Sequence, residues 1–158
     1  MEKLTGLKKI RTAVFISGRG SNLNNLIKFS KTKKSPIVID LIISNKKATG
    51  LKYADKYKIK KRIINFKSNK IAEKKILIIL KKKNIKFICL AGFMKILSNI
   101  FIKNFKEKII NIHPSYLPKY KGLNTSVRAL KNKDKFSGCT VHYVAAKLDS
   151  GKIILQKK

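Results

Sequence analysis

Three polar side chains in the second half of the chain could together stabilise an oxyanion and move a proton. They are Asn111 and His113, in the sequence Asn-Ile-His-Pro-Ser, and Asp149, in the sequence Leu-Asp-Ser-Gly. An amide and an imidazolium can donate hydrogen bonds to an oxygen on which negative charge develops. A carboxylate can hold the imidazole in its protonated form and can itself carry a proton. We therefore take these three residues as candidate catalytic groups.

The residues around His113 indicate where this group lies in the fold. The sequence Lys-Ile-Ile before Asn111 predicts a buried parallel strand, with His113 just past its carboxyl end. Ligands bind at that edge of open α/β sheets. Pro114 favours an extended conformation at His113, which would hold the ring in place. Taken alone, the Asn-Ile-His-Pro sequence is also typical of a turn with a structural histidine.

The chain has one other histidine and few carboxylates. His142 lies in the alternating sequence Val-His-Tyr-Val, which predicts a strand in which the ring is structural. Asp149 precedes Ser-Gly, so a tight loop could aim its carboxylate inward, although an aspartate in a surface turn is the alternative. His113 is therefore the favoured acid–base residue.

A glycine loop near the amino end is the second candidate site. Residues 18–22, Gly-Arg-Gly-Ser-Asn, connect a predicted strand to a predicted helix, where backbone N–H groups could meet a phosphate. Leu23 replaces the third glycine of the dinucleotide fingerprint, and no Gly-Lys-Ser/Thr follows as in a P-loop. A monophosphate site at Gly20, Ser21 and Asn22 is one interpretation. A plain turn with Ser21 as helix cap is the other.

Strands and helices alternate along the chain and position these groups. This order implies an α/β fold with a mostly parallel, doubly wound sheet. Apolar runs predict strands at 12–17, 37–44, 62–65, 87–91, 108–110, 138–144 and 152–156. Helical spacing predicts helices from residue 21, at 49–57, at 70–83, over a short stretch at 93–98, and at 125–131.

Composition sets the broad class of the protein. The 158 residues, 44% hydrophobic, predict a single domain over 1–158. The two cysteines lie in separate apolar runs, which favours neither a disulfide nor a zinc site, and no segment reads as a signal peptide or membrane span. We therefore predict a soluble cytoplasmic protein without a membrane partner.

The strong positive charge has a compositional explanation. The formal charge is +32, but the cations are almost all lysines spread along the chain. We interpret them as drift towards Lys, Ile and Asn, and so predict no specific nucleic-acid partner. Tight, saturable nucleic-acid binding at physiological salt would contradict this interpretation, whereas weak sticking would not.

Five motifs give the chain a specific resemblance. In order they are SGRGSNL, LIISNKKATGL, LAGFMKILS, NIHPSYLPKYKGL and GCTVHYV followed by LDSGKIILQ. From about Arg11 onward the sequence resembles the folate-dependent phosphoribosylglycinamide formyltransferases of purine synthesis. The resemblance implies an α/β, Rossmann-like formyltransferase fold, a mostly parallel twisted sheet with helices on both faces.

The same resemblance implies a reaction and its residues. A formyl group would pass from 10-formyltetrahydrofolate to the amino group of glycinamide ribonucleotide, without a metal. Asn111, His113 and Asp149 would be catalytic, and Gly20, Ser21 and Asn22 would hold the ribonucleotide phosphate. The folate pocket would be formed by apolar and loop residues, namely Leu90, Met94, Lys95, Ile96, Leu97, Ile102, Ile109, Ala145 and Leu148.

The sequence departs from the family pattern at two places. Asn124 and Ser126 stand where the family commonly has two histidines. Family members also continue past the last predicted strand with a further strand and helix, so we expect this domain to lack them. The alternatives are a formyltransferase for another amine, such as methionyl-tRNA, and a folate-binding protein that has lost turnover. The chain is expected to be a monomer or a homodimer.

Overall fold

The computed structural model describes residues 8–158; the first seven residues of the predicted domain lie outside this range. Seven strands are present: β1 Ile10–Ile16, β2 Ile37–Ser44, β3 Lys60–Ile63, β4 Phe87–Leu90, β5 Lys108–His113, β6 Cys139–Tyr143 and β7 Ile153–Lys157. Five α-helices accompany them: α1 Ser21–Ser30, α2 Lys52–Lys56, α3 Asn69–Lys82, α4 Asn99–Phe105 and α5 Thr125–Lys131. A 3-10 turn, Thr49–Leu51, leads into α2.

The strands form one sheet in the order β3-β2-β1-β4-β5-β6-β7. Pairings among β1 to β5 are parallel, whereas β6 is antiparallel to β5 and β7 is antiparallel to β6. The chain winds outward from β1 to one side and then, from β4, to the other. The loops after β1 and β4 therefore meet at a topological switch point, where such sheets bind ligands. The predicted mostly parallel α/β sheet is confirmed.

Helices cover both faces of the sheet because its central strands are apolar on both sides. Along β1, Ala13 and Phe15 pack into a core layer with α3 and α4. The alternate residues Val14 and Ile16 pack into a second layer with α1 and α2. All four side chains are fully buried. Burying each large apolar side chain contributes about 1.5–3 kcal/mol, so these two layers hold the carboxyl edge of the sheet in a fixed position.

The short helix predicted at 93–98 is wrong. This segment is irregular, and the helix α4 begins only at Asn99. Ser98 caps that helix, because its Oγ accepts a hydrogen bond from the N–H of Phe101 at 3.1 Å. Upstream, the N–H of Met94 is bound to the Ser17 hydroxyl at 2.7 Å. Contacts with distant parts of the chain therefore override the helical spacing of the apolar residues.

Two strand boundaries also differ from prediction. The third strand occupies Lys60–Ile63 rather than 62–65, because its register is fixed by pairing with β2, and lysines suit an exposed edge strand. His113 is the last residue of β5 rather than a residue beyond it, since it pairs with Thr140 of β6. Within residues 8–158, the helices are all too short or too polar to cross a membrane.

Candidate active site

The carboxyl end of β5 presents the two predicted catalytic residues on one face of the sheet. Asn111 and His113 are two positions apart, so both side chains point the same way. The antiparallel partner β6 places His142 directly opposite Asn111. The Asn111 Nδ2 atom lies 3.2 Å from His142 Nε2. His142, interpreted from the sequence as structural, is therefore part of this group.

Asp149 reaches the group from the loop between β6 and β7. Its φ of 44° is left-handed, and its side chain is only 7% exposed. One carboxylate oxygen, Oδ2, accepts a hydrogen bond from the N–H of Gly122 at 2.8 Å and lies 3.4 Å from His113 Nδ1. The other oxygen, Oδ1, lies 3.6 Å from His142 Nε2. A buried carboxylate thus stands between two imidazoles, and the three predicted catalytic residues come together.

Both nitrogens of His113 face oxygen acceptors. Nε2 lies 2.8 Å from the carbonyl oxygen of Tyr120, and Nδ1 faces Asp149. Only the doubly protonated ring can donate towards both. His142 is different, because its Nδ1 lies 2.8 Å from the carbonyl of Tyr143, which leaves Nε2 free to accept from Asn111 in the neutral ring. The site therefore has a geometry that can hold a proton near the Asp149 carboxylate.

A cavity of about 580 Å³ opens onto this group. Its walls are mainly apolar and come from the loop after β4, the end of β5, the start of α5 and the loop after β6. Seven of the nine predicted folate-binding residues line it, namely Leu90, Met94, Lys95, Ile96, Leu97, Ala145 and Leu148. The other two, Ile102 and Ile109, pack in or against the core layer that also contains the cavity residues Leu90 and Leu97. They do not line the cavity, and their part in folate binding stays a prediction.

The start of α5 closes one side of the cavity. Asn124 adopts a left-handed conformation (φ 56°) at the helix start and lines the cavity, whereas Ser126 is exposed. Between them, the hydroxyl of Thr125 donates to the carbonyl oxygen of Pro114 at 2.8 Å. That bond ties α5 to the end of β5. The two departures from the family pattern therefore lie at the start of α5, on either side of the threonine that anchors it.

The glycine loop lies at the same edge of the sheet but outside this cavity. Gly20 is left-handed (φ 76°) and precedes α1, whose first turn has no side-chain cap and no acidic residue. Ser21 and Asn22 are exposed there, with backbone N–H groups available to an anion. Ser17 joins the two regions, because its N–H donates to the carbonyl of Gly92 at 3.0 Å and its Oγ accepts from the N–H of Met94. One edge of the sheet thus carries the glycine loop beside an apolar cavity.

The described residues contain no cluster of three or more His, Cys, Asp or Glu side chains suited to a metal ion. The expectation that no metal is needed stays a prediction. The residue that the sequence analysis missed is His142. The sequence does show the alternation along β6 that puts Thr140 and His142 on one face of that strand, and the structure buries both residues. Only the register with β5 shows that this face is the one carrying Asn111.

Comparisons with known proteins match this arrangement. The sequence model described as "Formyl transferase" matches residues 10–158. The chain is 43% identical over 156 residues to a phosphoribosylglycinamide formyltransferase of Haemophilus influenzae, covering 96% of this chain and 73% of that protein. It is 46% identical over 154 residues to the human trifunctional purine biosynthetic protein adenosine-3, covering 95% of this chain but only 15% of that much longer protein.

Solved structures give the same result. The crystal structure of phosphoribosylglycinamide formyltransferase from Anaplasma phagocytophilum superposes with a TM-score of 0.88 at 45% identity. That match covers 94% of this chain and 71% of the other. The corresponding protein of Brucella melitensis gives a TM-score of 0.88 at 40% identity, over 95% of this chain and 79% of the other. The chain therefore belongs to the phosphoribosylglycinamide formyltransferase family.

Proposed function

We propose that this chain transfers the formyl group of 10-formyltetrahydrofolate to the amino group of glycinamide ribonucleotide. The observation that carries the proposal is the buried Asp149 carboxylate between His113 and His142, beside Asn111, at the floor of a largely apolar cavity. The cavity suits a flat, mainly apolar ring system. The neighbouring glycine loop suits a phosphate.

Chemically, the transfer forms a bond from the substrate amine to the formyl carbon and breaks the bond from that carbon to the folate nitrogen. Negative charge develops on the formyl oxygen, and one proton must move from the attacking amine to the leaving nitrogen. Asn111 and protonated His113 would donate hydrogen bonds to the oxygen, where one preorganised donor is worth about 2.7–4 kcal/mol. Asp149 would accept the proton and return it, directly or through water.

The Tyr120 carbonyl adds a constraint to this mechanism. It lies 2.8 Å from His113 Nε2, so a substrate oxygen must compete with it for the proton on that nitrogen. His142 would hold the Asn111 amide in place through the 3.2 Å contact. In this proposal Asn111 contacts the substrate directly, while His142 orients the Asn111 amide.

The substrates are anionic, and the net charge of +32 favours their approach. We propose that these two small molecules are the partners, that the protein acts in the cytoplasm as a monomer or homodimer, and that it binds neither membranes nor a specific nucleic acid. Its lysines are scattered over the sequence, as in KTKK and KYKIKK, rather than gathered in one block.

The direct test is to mix the purified chain with both substrates and follow release of deformylated folate. Asp149→Asn and His113→Ala should each lower kcat by about 10²–10⁴, the range of general acid–base catalysis. Asp55→Asn is the matched control, because Asp55 is an exposed carboxylate paired with Lys61, and neither residue lines the cavity. Folate binding without turnover in the unmodified chain, or full turnover in both site variants, would overturn the proposal.

A further inference from the structure

Glu73 is a buried carboxylate that the proposed mechanism does not use. It lies in α3 and is 5% exposed. Both of its oxygens bind one residue: Oε1 accepts from the N–H of Ser98 at 2.7 Å, and Oε2 accepts from the Ser98 hydroxyl at 2.5 Å. Within the described part of the chain, Glu73 forms no ion pair with a lysine or arginine within 4 Å, despite the abundance of cations. Ser98 is therefore the residue to which the Glu73 carboxylate is hydrogen-bonded.

Ser98 ends the segment that forms one wall of the cavity. We define the wall segment as residues 92–97, all of which line the cavity. The segment is irregular, and Met94 and Ile96 are about 60% exposed. Its own backbone has no helix or strand ladder to hold it. Its shape is therefore set by hydrogen bonds at its two ends and by Phe93 and Leu97, which pack against the core.

The two ends are anchored by different parts of the chain. At the start, Ser17 binds the carbonyl of Gly92 and the N–H of Met94. At the other end, Glu73 binds Ser98, which also caps α4 through the N–H of Phe101. A serine that donates to a carboxylate and accepts from a backbone N–H has one orientation only. The wall segment is thus fixed at its end by a charge-assisted contact, which is stronger than a neutral one.

A carboxylate at this position is costly if it serves packing alone. Burying a charge disfavours folding unless it is fully hydrogen-bonded, and an apolar residue of similar size is often at least as stabilising. Its neighbours on the same face of α3, Ala72 and Ile76, are apolar and fully buried. The contact of Glu73 with Ser98 therefore indicates a task beyond filling the core.

We propose that Glu73 is a positioning residue for the formyl donor, acting through Ser98 on the wall segment; this rests on the proposed use of the cavity for folate. Removing the carboxylate takes away both contacts of Ser98 with α3 and loosens that end of the wall segment, while the glycine loop keeps its geometry. The defect should therefore fall on folate binding and spare the ribonucleotide.

The experiment compares Glu73→Ala and Glu73→Gln with the unmodified chain. We expect Glu73→Ala to raise the KM for 10-formyltetrahydrofolate, and its Kd by calorimetry, about tenfold, as the loss of charge-assisted hydrogen bonds implies. Glu73→Gln keeps the shape and one acceptor, so its effect should be about threefold. The KM for glycinamide ribonucleotide should stay within about twofold in both. Ile76→Val, one turn away in the same helix and fully buried, controls for general destabilisation and should leave both KM values unchanged.

A double variant tests whether the effect passes through Ser98. In a Ser98→Ala background, Glu73→Gln should add little to the folate Kd. Equal rises in both KM values, no rise in the folate Kd for Glu73→Gln, or the same rise in Ile76→Val would overturn the inference. If Glu73→Ala does not fold, the Gln variant decides the question. Folate Kd values are measured without the second substrate, so they decide the role of Glu73 even if the unmodified chain shows no turnover and the proposed function fails.

Discussion

Replacing Gly50 with alanine should displace the backbone of the glycine loop, against which Gly50 packs. Gly50 lies in the 3-10 turn before α2, and its N–H donates to the carbonyl of Gly18 at 3.0 Å. A Cβ added at Gly50 would lie 2.8 Å from both Gly18 O and Gly20 Cα, and 2.9 Å from Gly20 N. These are backbone atoms, so no side-chain rotation can relieve the contact.

The size of the effect follows from these distances. Favourable contacts between carbon atoms begin at about 3.5 Å, so the loop and the turn must separate by roughly 0.7 Å. Overpacking of this kind costs about 1–3 kcal/mol. For a chain of this length each kcal/mol lowers Tm by about 2–4 °C, so Gly50→Ala should lower Tm by roughly 2–12 °C. The same displacement would move the N–H groups of Ser21 and Asn22, which we propose bind the ribonucleotide phosphate.

The assay combines thermal unfolding with steady-state kinetics. Gly50→Ala should raise the KM for glycinamide ribonucleotide about tenfold or more and change the KM for 10-formyltetrahydrofolate much less. Thr49→Ala is the control, because Thr49 is exposed in the same turn. A Gly50→Ala variant with the Tm and both KM values of the unmodified chain would refute the reasoning that this glycine shapes the loop.

Three further predictions concern single groups. His142→Ala should lower kcat about tenfold with little change in KM, because Asn111 loses the contact that orients its amide. The hydrogen bond from the Tyr120 hydroxyl is the main cause that lowers the pKa of Asp134. The stability that the Asp134 carboxylate gives is therefore complete above about pH 4 and is lost as the pH falls through the lowered pKa. Tyr120→Phe should raise the pKa of Asp134 in an NMR titration. Burial raises the pKa of the Cys89 thiol to about 12, so iodoacetamide at pH 8 should label it only after denaturation, as mass spectrometry can show.

The local sequence pattern was enough to predict most of the strands and helices. The second strand, Ile37–Ser44, and the last helix, Thr125–Lys131, lie where the sequence predicts them. Both have clear local boundaries, because a proline precedes the strand and an asparagine precedes the helix. The segment 93–98 has helical spacing too, but its partners are Ser17 and Glu73, which are distant in sequence. No local rule contains those contacts.

The site was predictable where residue chemistry decided it. Asn111, His113 and Asp149 stood out because few other side chains in the sequence could do acid–base chemistry, and the structure brings them together. The role of His142 was not visible, because alternation along one strand shows which residues share a face but not which strand that face meets. Ile109 shows a different limit, because an apolar residue near the site fits a pocket or a core equally well. It lies on the face of β5 that carries Asn111 and His113, and it packs in the core layer on that face.

The antiparallel pairing of β5 with β6 has a consequence for how activity appears during folding. Asn111 and His142 are 31 residues apart in the chain and meet only through this pairing. A slip of one residue would place Val141 or Tyr143 opposite Asn111 and turn His142 to the other face of the sheet. The parallel strands β1 to β5 pair without β6, so the sheet can gain most of its structure before His142 meets Asn111. We expect recovery of turnover to lag behind recovery of the far-ultraviolet circular dichroism signal during refolding. The length of that delay would then report when β6 docks onto β5.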